Sequence, residues 1–298
     1  MMAAETMITL KNLETFVWVA RLGGFGHTAK RLNTTQSAVS QRIAQLEGTI
    51  GTPLIDRQPR RTVVTPKGRE LLPYAERMLR LHSEILHTVG TSDTLRGHIR
   101  LGVAETIAHT QLVGLVQKMQ AVYPSVVVDI EVDVSTNLRD SLLRGDLDMI
   151  IPSMPILAPN VRNHDYVRYP MAWVAPPSLR LPEGPITLND IARFPVITYP
   201  KSTHPYQGIR DMFLRAGIAD FRLYGNTSLS AIARLCAGGI GVSVIPPTII
   251  GPELESGELR IVEVVDGQLE DLQFTISYVL SADAYLLEAI ASLALDHR

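Results

Sequence analysis

Apolar side chains recur at helical spacing from the start of the chain: Leu10, Leu13, Phe16, Val17 and Ala20 fall on one face, and the pattern stops at Gly23-Gly24. A shorter helix is predicted through His27-Thr28-Ala29-Lys30-Arg31-Leu32, where the small Ala29 lets another helix come close and Leu32 fills the space between them. Asn33-Thr34-Thr35 makes a turn, and Thr35 is placed to cap a third helix from Gln36 to Glu47 whose Ala38, Val39, Ile43 and Leu46 supply core contacts. The stretch from Ile50 to Ile55 breaks that helix. Beyond it, Arg57, Arg60 and Arg61 with Thr62-Val63-Val64-Thr65 read as a two-stranded wing.

Thr65-Pro66 opens another helix, with Thr as cap and Pro in the first turn, where its missing N–H costs nothing. Leu71, Ala75, Met78, His82, Ile85 and Val89 then alternate in steps of four and three, the spacing of a heptad seam. Such a stripe also suits a helix packed on its own domain, but on a helix leading out of a small domain it predicts a dimer seam. After a hinge at 91–97, strand-like and helix-like stretches alternate. Ile99 to Ala104, Val126 to Val132, Leu147 to Ile151 and Leu272 to Leu280 read as strands, with helices near 109–123, 138–144 and 284–295. That alternation argues for α/β sheets. The fold class is therefore multidomain α+β: a winged helix-turn-helix over 1–65, a linker and dimerisation helix over 66–90, the hinge, and a body over 98–298. The body divides into a first subdomain, about 98–161 and 267–298, and a second, about 162–266.

Composition adds two constraints. With 46% apolar and 19% charged residues in 298, the chain has the balance of a globular protein. No apolar run approaches the roughly 18 residues needed to span a bilayer, and the start lacks a basic segment followed by an apolar one, so no membrane partner and a cytoplasmic location are expected. The lone Cys236 excludes an intramolecular disulfide and a cysteine-based metal cluster within one chain. The net charge of −2 conceals an asymmetry: residues 1–97 carry 13 Lys or Arg against 8 Asp or Glu, while the remainder carries 15 against 22. A basic segment on an acidic body directs a polyanion to the first piece, where Lys and Arg displace counterions from phosphates.

The third helix shows Gln36, Ser37, Ser40, Gln41 and Arg42 away from its apolar residues. Gln bonds two edges of adenine, Arg two acceptors of guanine, and Ser suits bases or phosphates. Alone, this is also the description of a solvated polar face. Its position after two short helices and before an arginine-rich wing makes it a major-groove reader, with Thr35 at its cap and Arg57, Arg60 and Arg61 reaching the minor groove or phosphates.

The series Leu13, Phe16, Val19-Ala20, Gly24-Phe25, Ala29, Leu32, Thr35-Gln36-Ser37-Ala38-Val39-Ser40, Ile43, Leu46-Glu47, Gly51, Leu54, Arg57, Thr65, Gly68 and Leu71-Leu72 resembles the amino-terminal domain of LysR-type transcriptional regulators. Gly145-Asp146-Leu147-Asp148, Ala237-Gly238-Gly239-Ile240-Gly241 and Gly257-Glu258-Leu259 extend the resemblance along the body. It implies a two-subdomain effector domain like periplasmic solute-binding proteins, crossed twice by the chain, with a small organic effector in the cleft. It also implies paired linker helices holding two heads over double-stranded promoter DNA, assembly to a homodimer or homotetramer, and contact with RNA polymerase. Ligands in open α/β sheets lie beyond the carboxyl ends of strands. By position the effector-binding candidates are Glu105, Thr106, Ser153, Thr203, His204, Thr227 and Ser228, each of which also suits a helix cap. Family pockets often use Ser or Thr and take carboxylates, so Glu105 is a departure.

Other classes find little support. Cys236 lies in an apolar helical stretch, which suits a buried thiol rather than a nucleophile. The eight His lack metal-ligand spacing, and Gly238-Gly239-Ile240-Gly241 lacks the context and third glycine of a nucleotide fingerprint. No enzyme activity, metal or cofactor is expected. A solute receptor without a regulatory role explains the body but leaves the first 97 residues without purpose.

Overall fold

The computed structural model of the protein describes residues 7–58, 61–89, 97–158, 160–280 and 284–296. Three helices open the chain: α1 (Leu10–Leu22), α2 (Phe25–Arg31) and α3 (Gln36–Ile50). Thr9 caps α1 by accepting from the Asn12 N–H, and Gly23 ends it at φ 64°, a left-handed turn that a Cβ would strain. Strands β1 (Ile55–Gln58) and β2 (Arg61–Val64) pair antiparallel with Ile55 opposite Val64. Leu13, Phe16, Val39, Ile43, Leu46 and Leu54 form one buried cluster beneath them. Glu47, near the end of α3, accepts from the backbone N–H groups of Leu54 and Ile55 at 2.8 and 3.0 Å, which ties the wing to the helix.

The long helix α4 (Pro66–Val89) follows and continues through Pro73. Its first turn lies against the wing so closely that a Cβ on Gly68 would come within 2.3 Å of the Leu54 carbonyl oxygen.

The body has two sheets. In chain order its elements are β3 (Gly97–Val103), α5 (Glu105–Thr110), α6 (Leu112–Val122), β4 (Val126–Val132), α7 (Ser135–Arg144), β5 (Met149–Ile151), β6 (Val161–Tyr169), β7 (Ala172–Ala175), α8 (Leu188–Ala192), β8 (Pro195–Thr198), α9 (His204–Arg215), β9 (Arg222–Gly225), α10 (Leu229–Ala237), β10 (Val242–Ile245), α11 (Gly251–Glu255), β11 (Arg260–Val262), β12 (Leu272–Val279) and α12 (Ala284–Leu295). The first sheet has the order β4-β3-β5-β12-β6 and the second β11-β7-β10-β8-β9. In each, the strands leading into helices run parallel and a returning strand, β12 or β7, runs antiparallel.

The first crossing between lobes therefore differs from the sequence-based boundary near 161. β6 pairs with β12 from Val161 to Tyr169, so the chain leaves the first sheet only after Tyr169 and returns at Leu272. Half-buried polar residues such as Arg162, Asn163 and His164 give β6 no clean alternation, and its partner lies about a hundred residues away in sequence.

Head and body touch directly. Trp18 of α1 is buried, the Arg31 guanidinium lies 4.4 Å from its ring centroid, and Arg31 pairs with Asp148 of the first lobe at 2.9 Å. Asp148 also accepts from the backbone N–H and the guanidinium of Arg100 on β3. Gly145, at φ 75°, leaves room for Leu22 and Trp18 at this joint.

Candidate functional site: a reading face and a cleft

The candidate reading face rests on α3. Thr35 caps it, its hydroxyl oxygen accepting from the Ala38 N–H at 3.2 Å and lying 2.9 Å from the Ser37 hydroxyl, so Thr35 shapes the helix start. Val39, Ile43 and Leu46 are fully buried on the inner face. Gln36, Ser37 and Gln41 are exposed and Ser40 is half-buried on the outer one.

Arg42 departs from the expectation. At roughly 100° per residue it falls nearly opposite Ala44 on the helix, and its guanidinium reaches the Thr15 hydroxyl of α1 at 3.4 Å. Two residues that the sequence reading passed over, Ala44 and Gln45, are exposed beside Ser37 and Gln41. Stepping the helical angle residue by residue finds them; Ala44 offers the apolar contact that suits a thymine methyl. Arg57 and Arg61 sit in the two wing strands with side chains outside the described residues, and Arg60 lies outside them altogether.

The predicted dimer seam divides. Ala75 is fully buried against the head of its own chain, with Leu71 packed on the same cluster, because α4 lies along α1. Met78, His82 and Ile85 are exposed, together with Tyr74 and Leu81. The Val89 side chain lies outside the described residues, as do residues 91–96 of the hinge.

At the other end of the molecule a cleft of about 410 Å³ opens between the lobes. Six of the seven expected residues line it: Glu105, Thr106, Ser153, Thr203, Thr227 and Ser228. The seventh, His204, turns instead to a separate cavity beside α9 and lies 3.9 Å from Glu270. Asp133, Ser135 and Tyr199 also line the cleft and were not among the sequence-based candidates. Their signal was positional: Asp133 and Ser135 follow β4 and Tyr199 follows β8, at strand ends.

Bonds across the cleft join the lobes. The Glu105 carboxylate, from the first residue of α5, accepts from the Leu229 N–H at the start of α10 at 2.8 Å. Thr106 and Tyr199 share a hydrogen bond of 3.1 Å. Burial raises the Tyr199 phenol above its ordinary pKa; the Thr106 bond opposes that and the neighbouring Glu105 charge adds to it, so the hydroxyl stays protonated. On the first lobe the Ser135 hydroxyl accepts from the Ser153 N–H at 2.9 Å. Ser228 caps α10 by accepting from the Ala231 N–H. Thr203 donates to the Pro200 carbonyl.

A winged helix-turn-helix head joined by one long helix to a two-lobed body with a hydroxyl-lined cleft defines a ligand-responsive regulator of transcription. Comparison with known proteins gives the same class. Residues 10–69 match the family model of the bacterial regulatory helix-turn-helix protein, lysR family, and residues 92–294 match the LysR substrate binding domain. The chain belongs to the LysR family and is a LysR-type transcriptional regulator with an effector-binding domain.

Its relatives include the HTH-type transcriptional regulator YeiE of Escherichia coli, 28% identical over 86% of this chain and 87% of its own. PecT of Dickeya dadantii is 27% identical over 96% of this chain and 86% of its own. Among solved structures, a full-length OxyR variant from Pseudomonas aeruginosa superposes with a TM-score of 0.60 at 22% identity, covering 97% of this chain and 95% of that one. Full-length LysG of Corynebacterium glutamicum, with bound effector Arg, gives 0.60 at 18%, covering 97% and 99%. At such identities the structures show the fold.

Proposed function

We propose that the outer face of α3, Gln36, Ser37, Ser40 and Gln41 with Ala44 and Gln45, reads base edges in the major groove of promoter DNA, while Arg57, Arg60 and Arg61 of the wing hold the adjacent backbone. Thr35 sets the start of the reading helix, and Arg42 braces it against α1. The observation that carries this reading is the division of α3, whose inner residues Val39, Ile43 and Leu46 are buried while Gln36, Ser37 and Gln41 are exposed on a fixed helix. A small organic molecule binds the cleft among Glu105, Thr106, Ser153, Thr203, Thr227 and Ser228 and favours one arrangement of the lobes over another; only a difference in affinity between the two arrangements drives that shift.

The joint that carries the change to the head is Asp148. It lies just before β5 and bonds β3 through Arg100, and the far ends of those two strands deliver Ser153 and Glu105 to the cleft. Arg31, at the end of α2, takes the other side of the same carboxylate. The exposed stripe Met78, His82 and Ile85 pairs with that of a second copy in a homodimer or homotetramer, which spaces two heads over a two-fold operator in the cytoplasm and presents them to RNA polymerase.

Its action is binding, as in the transcriptional regulators it resembles, and Cys236 takes no part as a nucleophile: it is fully buried, and burial pushes its thiol up to about 12, which withholds the thiolate. None of the described helices is long and apolar enough to cross a membrane. The test is a gel-shift titration of the purified chain with its own promoter region against random duplex at moderate ionic strength. A preference of at least about a thousandfold is expected; equal affinity for both overturns the reading.

A further inference from the structure

The cleft already holds a carboxylate where an anionic ligand would bind. The N-terminus of α10 faces it, and such an end attracts anions because its first N–H groups lack partners within the helix. Here two of those partners are built in: Glu105 accepts from Leu229 at 2.8 Å and Ser228 from Ala231 at 3.3 Å. Glu105 comes from the other lobe, so it fills the anion position by reaching across the cleft. The remaining charge in the lining is of the same sign. Asp133, engaged by its own Asn137 amide, is the second ionisable carboxyl, and no Lys, Arg or His contributes to the described wall. His109 lies 3.6 Å from the Glu105 carboxylate but outside that wall. What the cleft offers a ligand is two carboxylates and the hydroxyls of Thr106, Ser135, Ser153, Tyr199 and Thr227, beside an apolar floor that includes Val132 and Phe274.

We propose that Glu105 is a resident counter-ion that makes this cleft select small organic cations, amines or guanidines on a short carbon frame, and reject simple carboxylates. An ammonium or guanidinium donates to Glu105 and to the surrounding hydroxyls, while its carbon frame covers Val132 and Phe274. A carboxylate entering the same space meets two like charges with no cation in the described wall to offset them, His109 lying outside it. Because Glu105 bonds both lobes, a cation that draws its carboxylate away from Leu229 also loosens the bracing between them, which links the chemistry of the ligand to the lobe arrangement.

This inference rests on the cleft being the effector site, and it is tested separately from promoter recognition. Thermal unfolding of the full chain is followed with putrescine and agmatine, and with succinate and benzoate, each at 10 mM or about that concentration, above the affinity range of small-metabolite sites. The amines raise the melting temperature and the carboxylates leave it unchanged; the reverse pattern, or no shift with either amine, overturns the proposal. Glu105→Gln keeps the side-chain shape and lowers amine affinity at least tenfold; unchanged affinity overturns it. If Glu105→Gln folds poorly, Glu105→Ala with sodium acetate serves in its place. Acetate stabilises that variant by refilling the vacated position and does nothing for the wild type; equal responses of the two count against the resident carboxylate. The same preparations are run against promoter and random duplex. Loss of promoter preference with amine selectivity intact breaks the regulator reading alone, and the converse breaks this inference alone.

Discussion

The reading face and the cleft use the same kinds of side chain in opposite ways. On α3, Gln36, Ser37 and Gln41 stand on one continuous helix with their polar ends toward solvent, and the energy that holds them there comes from Val39, Ile43 and Leu46 on the reverse side. In the cleft, Glu105 and Thr106, Ser135, Ser153 and Tyr199 come from four separate segments and are bonded to one another or to backbone before any ligand arrives. The outer face of α3 is a finished surface to which DNA, on the proposed reading, adds contacts. The cleft is a set of bonds that a ligand must exchange for its own, and two of those bonds join the lobes. On the proposed reading, affinity at the head follows from complementarity, whereas affinity at the cleft is coupled to conformation.

The largest expected effect lies at the joint between these regions. Asp148 is buried and serves two arginines, so Asp148→Ala leaves both without their carboxylate and costs about 3–5 kcal/mol of stability in chemical denaturation. A loss below about 1 kcal/mol would mean that the joint contributes little in solution. Next comes the cap of the reading helix. Thr35→Ala removes the acceptor for the Ala38 N–H and costs about 1 kcal/mol in the same assay, lowering affinity for all DNA sequences alike through the disturbed helix start. Unchanged stability would take the cap out of the account. The smallest effect is expected at Arg42, whose long bond to Thr15 places it in the scaffold: Arg42→Ala changes promoter affinity and stability by less than about 1 kcal/mol each. A loss of several-hundredfold in affinity for the promoter, with random DNA unaffected, would return Arg42 to the reading face.

What sequence could show followed the same division. The head was legible because each of its signals is local: period in α1 and α3, the Thr35 cap, the break at Gly51, and β-formers in the wing. The lobes were legible as alternating strands and helices. What the sequence did not place depends on long-range packing. Arg42 is polar and adjacent to Gln41, and only the helix angle and the position of α1 show that it faces Thr15. Ala75 fits a heptad seam by spacing, yet α4 lies along α1 and buries it at home, leaving Met78, His82 and Ile85 as the exposed part of that stripe. His204 sits one residue after Thr203, and the turn into α9 sends the two toward different cavities. β6 was assigned to the second lobe because nothing within Val161–Tyr169 specifies its pairing with β12.

The central claim is that the outer residues of α3 choose the sequence to which the protein binds. Its most direct measurement is the ratio of affinities for promoter and random duplex in the wild type, in Gln36→Ala and in Gln41→Ala, at one salt concentration. Each substitution is predicted to cost about 1–3 kcal/mol on the promoter and nothing measurable on random DNA, with the melting temperature unchanged. A ratio that survives both substitutions intact would contradict the assignment.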